Sequence, residues 1–244
     1  MGYSKAPTAT VFDQEQLDKP IIVMGNSYSL KMPDLKLLER FIIIGCNRGL
    51  KDAAIYPDYL LINDREPYMQ ERDDGRLKDA AKSGIKLLLG RGMFDTKVRC
   101  QRFDDQPEIP TQPLPVDFSY ATFDVCHKCP TNITTFANTL HSFANIAGPM
   151  TQAALILGAK KIGFIGIDMK WPEDGPSHHY GDGEKVGAYK FAHVRHTMLR
   201  FKMLKAQTNA QMFNLSPITG TPFSAVFGNT SLKDFLRDCE GCNE

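Results

Sequence analysis

Short apolar runs recur along the chain, each closed by glycine or small polar residues and separated from the next by a stretch with helical spacing. Ile21-Ile22-Val23-Met24, Phe41 to Ile44, Tyr59 to Ile62 and Ile85 to Leu89 are continuous runs of the length and composition of strands buried on both faces. Lys161 to Asp168 alternates and then runs apolar through Ile162, Phe164, Ile165 and Ile167, so a strand ending on Asp168 is expected, and Gln211 to Leu215 gives a late one. Between them, Asp34 to Arg40, the charged segment Gln70 to Lys82, and the apolar turn from Gly148-Pro149 to a stop at Gly158 read as helices. Thr131 to Asn145, with Ile133, Phe136, Ala137, Leu140 and Phe143 on one face and His141 beside it, reads as another. So does Glu184 to Lys205, where Ala188, Phe191, Val194, Met198, Phe201 and Leu204 keep core spacing, and Ser231 to Arg237 closes the series. Strands separated by helices imply an α/β fold: a mostly parallel sheet with crossover helices on its faces.

The rhythm fails between about residues 93 and 130, where prolines stand at 107, 110, 113, 115 and 130. A long excursion is expected there, serving as a lid, a small lobe or a contact in a homo-oligomer. Residues 1–18 are polar and read as a flexible arm, leaving 19–244 as a single domain, which a chain of 244 residues accommodates. The first twenty residues contain no apolar core of a signal or anchor, and no run reaches the length of a membrane span, so a cytoplasmic protein is expected. Asn-x-Ser/Thr triplets at Asn132, Asn214 and Asn229 then lose their meaning as glycosylation sites. With 29 basic against 28 acidic residues, the chain lacks the charge excess of a protein that grips nucleic acid by its phosphates.

Four of the six cysteines form two Cys-x-x-Cys pairs, Cys126/Cys129 and Cys239/Cys242. In a reducing compartment the pairs suit one tetrahedral structural zinc better than disulfides, with reduced, unrelated thiols as the alternative. The segments after the strands carry the remaining chemistry. Gly25-Asn26-Ser27 follows the first strand and opens toward a helix, an arrangement suited to cradling a phosphate. Gly45-Cys46-Asn47-Arg48 follows the second; the asparagine offers a donor and an acceptor together, and the arginine adds charge. The longest such segment follows Asp168 and holds Lys170, Trp171, Glu173, Asp174, Ser177, His178, His179 and Tyr180. Adjacent loop histidines suit a general base better than a metal site, while Lys170 or Arg195 can neutralise a leaving phosphate and Tyr180 can hydrogen-bond it. On the long helix, Tyr189, His193, His196 and Arg200 form a row that can reach an anionic ligand or simply face water.

Taken in order, Met24-Gly25-Asn26-Ser27-Tyr28-Ser29-Leu30, Gly45-Cys46-Asn47, Ala147-Gly148, Gly166-Ile167-Asp168 and Ser177-His178-His179-Tyr180 resemble the small bacterial sialyltransferases that decorate lipooligosaccharide. They also resemble the wider group that includes motility-associated glycosyltransferases and archaeal 6-hydroxymethylpterin diphosphokinases. The resemblance implies a Rossmann-like sheet binding a cytidine-monophosphate sugar through Gly25, Asn26 and Asn47, no cofactor for the transfer, and a glycan or other hydroxyl acceptor deprotonated by His179; Ser27, Gly148 and Asp168 join the candidate nucleotide contacts by their positions. Lys170 and Tyr180 would assist the leaving group in an inverting displacement. Ala147 replaces the serine of that pattern, and Lys170-Trp171 replaces its tyrosine. The diphosphokinase branch implies ATP and magnesium in the same crevice, with Asp168 as a metal-side carboxylate. A protein that keeps the fold and binds nucleotide or serves in assembly, without catalysis, is the third reading.

Overall fold

Apolar runs this continuous need cover on two sides, and a parallel sheet between helical layers provides it. The computed structural model describes residues 17, 19–31, 34–51, 53–90, 120–126, 139–143, 145–169, 178 and 191–240, with backbone only at 122, 124–126, 139, 191–193 and 240. Eight parallel strands, β1 (Ile21–Met24), β2 (Ile42–Cys46), β3 (Tyr59–Ile62), β4 (Lys86–Gly90), β5 (Ala121–Cys126), β6 (Thr139–His141), β7 (Lys161–Ile165) and β8 (Gln211–Asn214), lie in the order β6-β5-β4-β3-β2-β1-β7-β8. The helices are α1 (Arg65–Asp73), α2 (Arg76–Lys82), α3 (Ala147–Ile156), α4 (Phe191–Gln207), α5 (Pro222–Phe227) and α6 (Leu232–Glu240).

Register assigns each side chain to a layer. Pairing Val23 with Ile44 and Ile44 with Tyr59 places Val23, Ile44, Tyr59, Leu61 and Leu88 on one face, under Ala153 of α3, Phe201 of α4 and Phe223 of α5. Phe164 meets Phe201 and Phe223 edge to face at 5.8 and 5.2 Å, the geometry favoured by ring quadrupoles. On the opposite face, Ile22, Ile43 and Ile165 pack under Phe235 of α6 and Leu38 of a 3₁₀ turn, while Leu60, Ile62, Leu87 and Leu89 pack under Tyr68 of α1 and Leu77 of α2. Each fully buried large side chain contributes about 1.5–3 kcal/mol, so both layers are needed. Helices therefore cover both faces, as the sequence pattern implies.

Several boundaries differ from the expectations. The charged segment is two helices, broken where Gly75 takes φ 77°. The expected helix after Gly25-Asn26-Ser27 is a single 3₁₀ turn, Tyr28–Lys31, so no helix dipole stands behind that turn. The β7 strand ends at Ile165 instead of Asp168, because Gly166 adopts φ 66° and turns the backbone out of the sheet. The proline-rich excursion contains β5, and part of the expected helix over 131–145 is strand β6, which pairs with β5; residues 91–119 and 127–138 lie outside the described residues. Spacing misled at Leu140 and Phe143: both are buried, but from a strand and its exit rather than from one helical face. The short α5, capped by Thr221 with Pro222 in its first turn, was not expected. Of the N-terminal arm only Leu17 is described; its N–H donates to the Leu157 carbonyl at 2.7 Å.

The topology locates the place where a ligand fits. From β1 the chain steps outward through β2 to β6, then α3 crosses back over β1 and β2 and delivers β7 to the other flank of β1. The strand order thus reverses at β1/β7, and in open parallel sheets ligands occupy the crevice beyond the carboxyl ends at such a switch point. No helix among the described residues is long and apolar enough to cross a membrane.

Candidate functional site

At the switch point the ends of β1 and β7 are joined by their backbones. Gly25 N–H donates to the Ile165 carbonyl and Ser27 N–H to the Gly166 carbonyl, both at 2.9 Å, and Asp168 N–H donates to Ser27 Oγ at 3.2 Å. A Cβ on residue 25 would stand 2.2 Å from the Gly166 carbonyl oxygen, so this approach requires glycine. Asn26 turns the other way: its Nδ2 donates to the Cys46 carbonyl at 3.1 Å and ties β1 to the end of β2. Ser27 also forms an isolated antiparallel bridge with His178, which places His178 at the end of β1.

The turn after β2 is built around Asn47, whose φ of 46° is one an asparagine tolerates better than most residues. Its N–H donates to the Leu61 carbonyl and its Nδ2 to Asp64 Oδ2, at 3.0 and 3.2 Å, while Oδ1 is buried without a hydrogen-bond partner. Next to it Arg48 pairs through Nη2 with Glu66 at 2.7 Å and leaves Nε buried and unpartnered. Cys46, just beneath, is no nucleophile: burial, with the Asp64 charge adding to it, pushes its thiol up to about 12.

Asp168 is fully buried. Ser216, just past β8, donates its hydroxyl to Oδ1 at 2.7 Å; the Ser29 hydroxyl and N–H lie close enough to act on the carboxylate, yet neither Oδ2 nor Ser29 Oγ completes a hydrogen bond of good geometry. Burial raises the carboxyl above its ordinary value; the approach of Ser29 and the Ser216 hydrogen bond act against that without overcoming it. Met169 follows with φ 49°, a conformation that costs a longer side chain about 1–2 kcal/mol.

These details converge. Among the described residues, the buried side-chain atoms without a partner are Ser29 Oγ, Asn47 Oδ1, Arg48 Nε and Asp168 Oδ2, and all four follow the carboxyl ends of β1, β2 or β7. The described non-glycine residues in the left-handed region, Asn47 and Met169, stand there as well. A buried polar atom left unpaired costs about 1–3 kcal/mol, and hydroxyls with an anionic group are the chemistry that can offset that cost. A cavity of about 420 Å³ lined by Leu50, Tyr56, Asp58, Arg76, Ala80 and Gly84 lies instead toward the amino ends of β3 and β4. Its size does not make it the site, and two of its charged groups are held by structural partners: Asp58 Oδ2 accepts from Ile43 N–H at 2.7 Å and Arg76 Nε donates to Glu71 at 2.6 Å.

Of the residues singled out from sequence, Gly25, Asn26, Ser27, Asn47 and Asp168 come together at this one end of the sheet. Gly148 occupies the first turn of α3, where a Cβ would meet the Phe143 ring at 2.8 Å. Lys170, His179 and Tyr180 lie outside the described residues, as do Cys129 and Cys242; of Cys126 only the backbone is described, and Cys239 is half-buried on α6. Asp168 gathers no cluster of three His, Cys, Asp or Glu able to hold a metal among the described residues. His141 ends β6 rather than lining a helix, its pKa lowered by burial and by the nearby Arg200. Ser216 and Ser29 were missed; the one signal available was position, since each follows a predicted strand as Asn47 does. Asn214, whose triplet reads as a glycosylation signal, is buried and donates to Asn229 at 2.7 Å.

No protein-family model matches the chain, and no curated protein matches it. Two solved structures are similar. The MAf glycosyltransferase of Magnetospirillum magneticum AMB-1 aligns over 92% of this chain at 16% identity and a TM-score of 0.49, and the chain spans 37% of that longer protein. The sialyltransferase CstII of Campylobacter jejuni, solved in complex with a substrate analogue, cytidine-5'-monophosphate, aligns over 88% of this chain and 86% of its own length, at 15% identity and a TM-score of 0.50. The likeness is one of fold: the chain has the Rossmann-like fold of the sialyltransferase-type glycosyltransferases.

Proposed function

We propose that the protein is a nucleotide-sugar-dependent glycosyltransferase that acts at the carboxyl ends of β1, β2 and β7. The unpaired Asn47 Oδ1 and Arg48 Nε, with the adjoining Ser29 and Asp168 pair, carry this reading, since they suit a ligand that both donates and accepts hydrogen bonds where the strand order reverses. Asn47 Oδ1 and Asp168 Oδ2 would accept from ligand hydroxyls, and Ser29 and Arg48 would donate to its oxygens. The fold shared with CstII supports a cytidine-monophosphate sugar as the donor. His179 would take the proton of the acceptor hydroxyl as that oxygen attacks the anomeric carbon. The bond to the donor phosphate breaks on the opposite face, and the phosphate departs with the bonding pair, assisted by Lys170 and Tyr180. The bridge between Ser27 and His178 supports the assignment, since it brings the chain neighbour of His179 to the end of β1.

A thermal-shift panel tests the class of ligand: cytidine-monophosphate sugars, uridine and guanosine diphosphate sugars, and ATP with magnesium. Stabilisation by the first group is the expected result. A shift with ATP and magnesium alone supports the diphosphokinase-like alternative, and no shift with any of them supports a non-catalytic protein. In a transfer assay with a stabilising donor, His179→Ala should abolish turnover while nucleotide affinity stays close to that of the parent; equal turnover removes His179 from the mechanism.

A further inference from the structure

Two arginines hold carboxylates of α1 in different ways. Arg76 offers Nε and Nη2 together to Glu71, at 2.6 and 3.3 Å, and that carboxylate is fully buried, so the fork is filled by a structural partner. Arg48 touches Glu66 through Nη2 alone, its Nε is buried and empty, and the Glu66 side chain is 76% exposed. Exposed ion pairs of that kind contribute little, about 0–1 kcal/mol, and are cheaply exchanged. Arg48 therefore presents a half-filled fork beside Asn47 Oδ1, an unpaired acceptor on the same turn. The other carboxylates nearby are engaged: Glu71 is neutralised by Arg76, and Asp64 accepts from Asn47 Nδ2. Asn26 ties the end of β2 to the end of β1, which places the fork at the same end of the sheet as the switch point.

We propose that Arg48 is the phosphate-reading residue of this crevice and that Glu66 is a resident substitute for the ligand's anion. On binding, two phosphate oxygens take Nε and Nη2, Glu66 turns to solvent, and Asn47 Oδ1 accepts from an adjacent ligand hydroxyl. The proposal rests on the glycosyltransferase reading for the identity of the ligand, and on the structure for the position of the fork. It predicts an asymmetry that a merely structural ion pair would not produce. Loss of the arginine weakens anion binding, and loss of the glutamate strengthens it.

Isothermal titration of the full chain with cytidine monophosphate, cytidine and inorganic pyrophosphate separates the possibilities. Arg48→Gln should weaken the monophosphate and pyrophosphate by about tenfold or more while leaving cytidine unchanged, and Arg48→Lys should restore only part of the loss, because a point charge lacks the fork. Glu66→Gln, at an exposed position that leaves folding intact, should tighten the monophosphate by about two- to fivefold. Monophosphate binding that is the same in Arg48→Gln, Glu66→Gln and the parent overturns the inference and leaves the glycosyltransferase reading standing. Pyrophosphate binding that depends on Arg48, with no binding of the monophosphate, keeps the inference and removes the cytidine donor. Binding of neither overturns both.

Discussion

The two ends of this sheet are built on opposite terms. Toward the amino ends of β3 and β4 there is a cavity of about 420 Å³, where Asp58 and Arg76 are held by structural partners. Beyond the carboxyl ends of β1, β2 and β7 the backbones close on one another, two non-glycine residues sit at positive φ, and four buried polar atoms lack partners. Empty volume marks a gap in packing, and it costs only lost contacts. Unpaired polar atoms and backbone strain cost more, and they persist where a ligand or a second state repays them. Function is therefore sought at the tight, unsatisfied end rather than at the roomy one.

The contrast can be broken most forcefully at Gly25. An alanine there puts a methyl group against the Gly166 carbonyl, and we expect a loss of about 3 kcal/mol or more in chemical denaturation, as for severe overpacking. A loss under about 1 kcal/mol would mean that the β1 and β7 ends separate easily and that the crevice is not preformed. At the cavity end, Arg76→Ala strands the buried Glu71 carboxylate; because the arginine itself is partly exposed, about 2–3 kcal/mol is expected rather than the full cost of a buried pair. Nucleotide binding should survive that change.

Asp168 sharpens the comparison through pH. Its folded pKa is raised by burial, so the native state keeps a proton that the unfolded chain has released. Its contribution is present below the ordinary carboxyl range and is lost as pH rises from there through the raised value. Asp168→Asn should remove this decline: its denaturation midpoint should fall less than that of the parent as pH rises above the ordinary carboxyl range. Asp168→Ala, which leaves the Ser216 hydroxyl without its acceptor, should cost about 1–3 kcal/mol. Parallel pH profiles for Asp168→Asn and the parent would show that the group is already ionised in the fold. The smallest effect is expected at the cavity, where Ala80→Val adds apolar volume next to open space. Stability should change by less than about 1 kcal/mol, and nucleotide binding should not change. Altered binding there would assign function to the wrong end of the sheet.

Much of this was legible in the chain. Continuous runs such as Ile21 to Met24 and Tyr59 to Ile62 identify strands buried on both faces, because an apolar stretch without alternation has no side to give to water. Asn47 was legible for a related reason, since a small polar residue directly after such a run stands at a strand's end. Leu140 and Phe143 were not, because three residues separate two neighbours on a helical face as well as a strand residue from a buried side chain just past its end, and pairing with β5 decides between them. Nor was Ser216, whose hydroxyl matters only because β7 and β8 are adjacent and bring it within reach of Asp168.

By itself, the order of residues determined that strands and helices alternate, that the sheet is parallel, and that small polar residues follow the strands, since these depend on contacts between near neighbours in sequence. Which strand ends stand side by side, which polar atoms go unpaired and which arginine keeps an open fork were decided only in three dimensions. Those properties belong to pairs of residues as far apart as Ser27 and Asp168, and no local pattern encodes their separation in space.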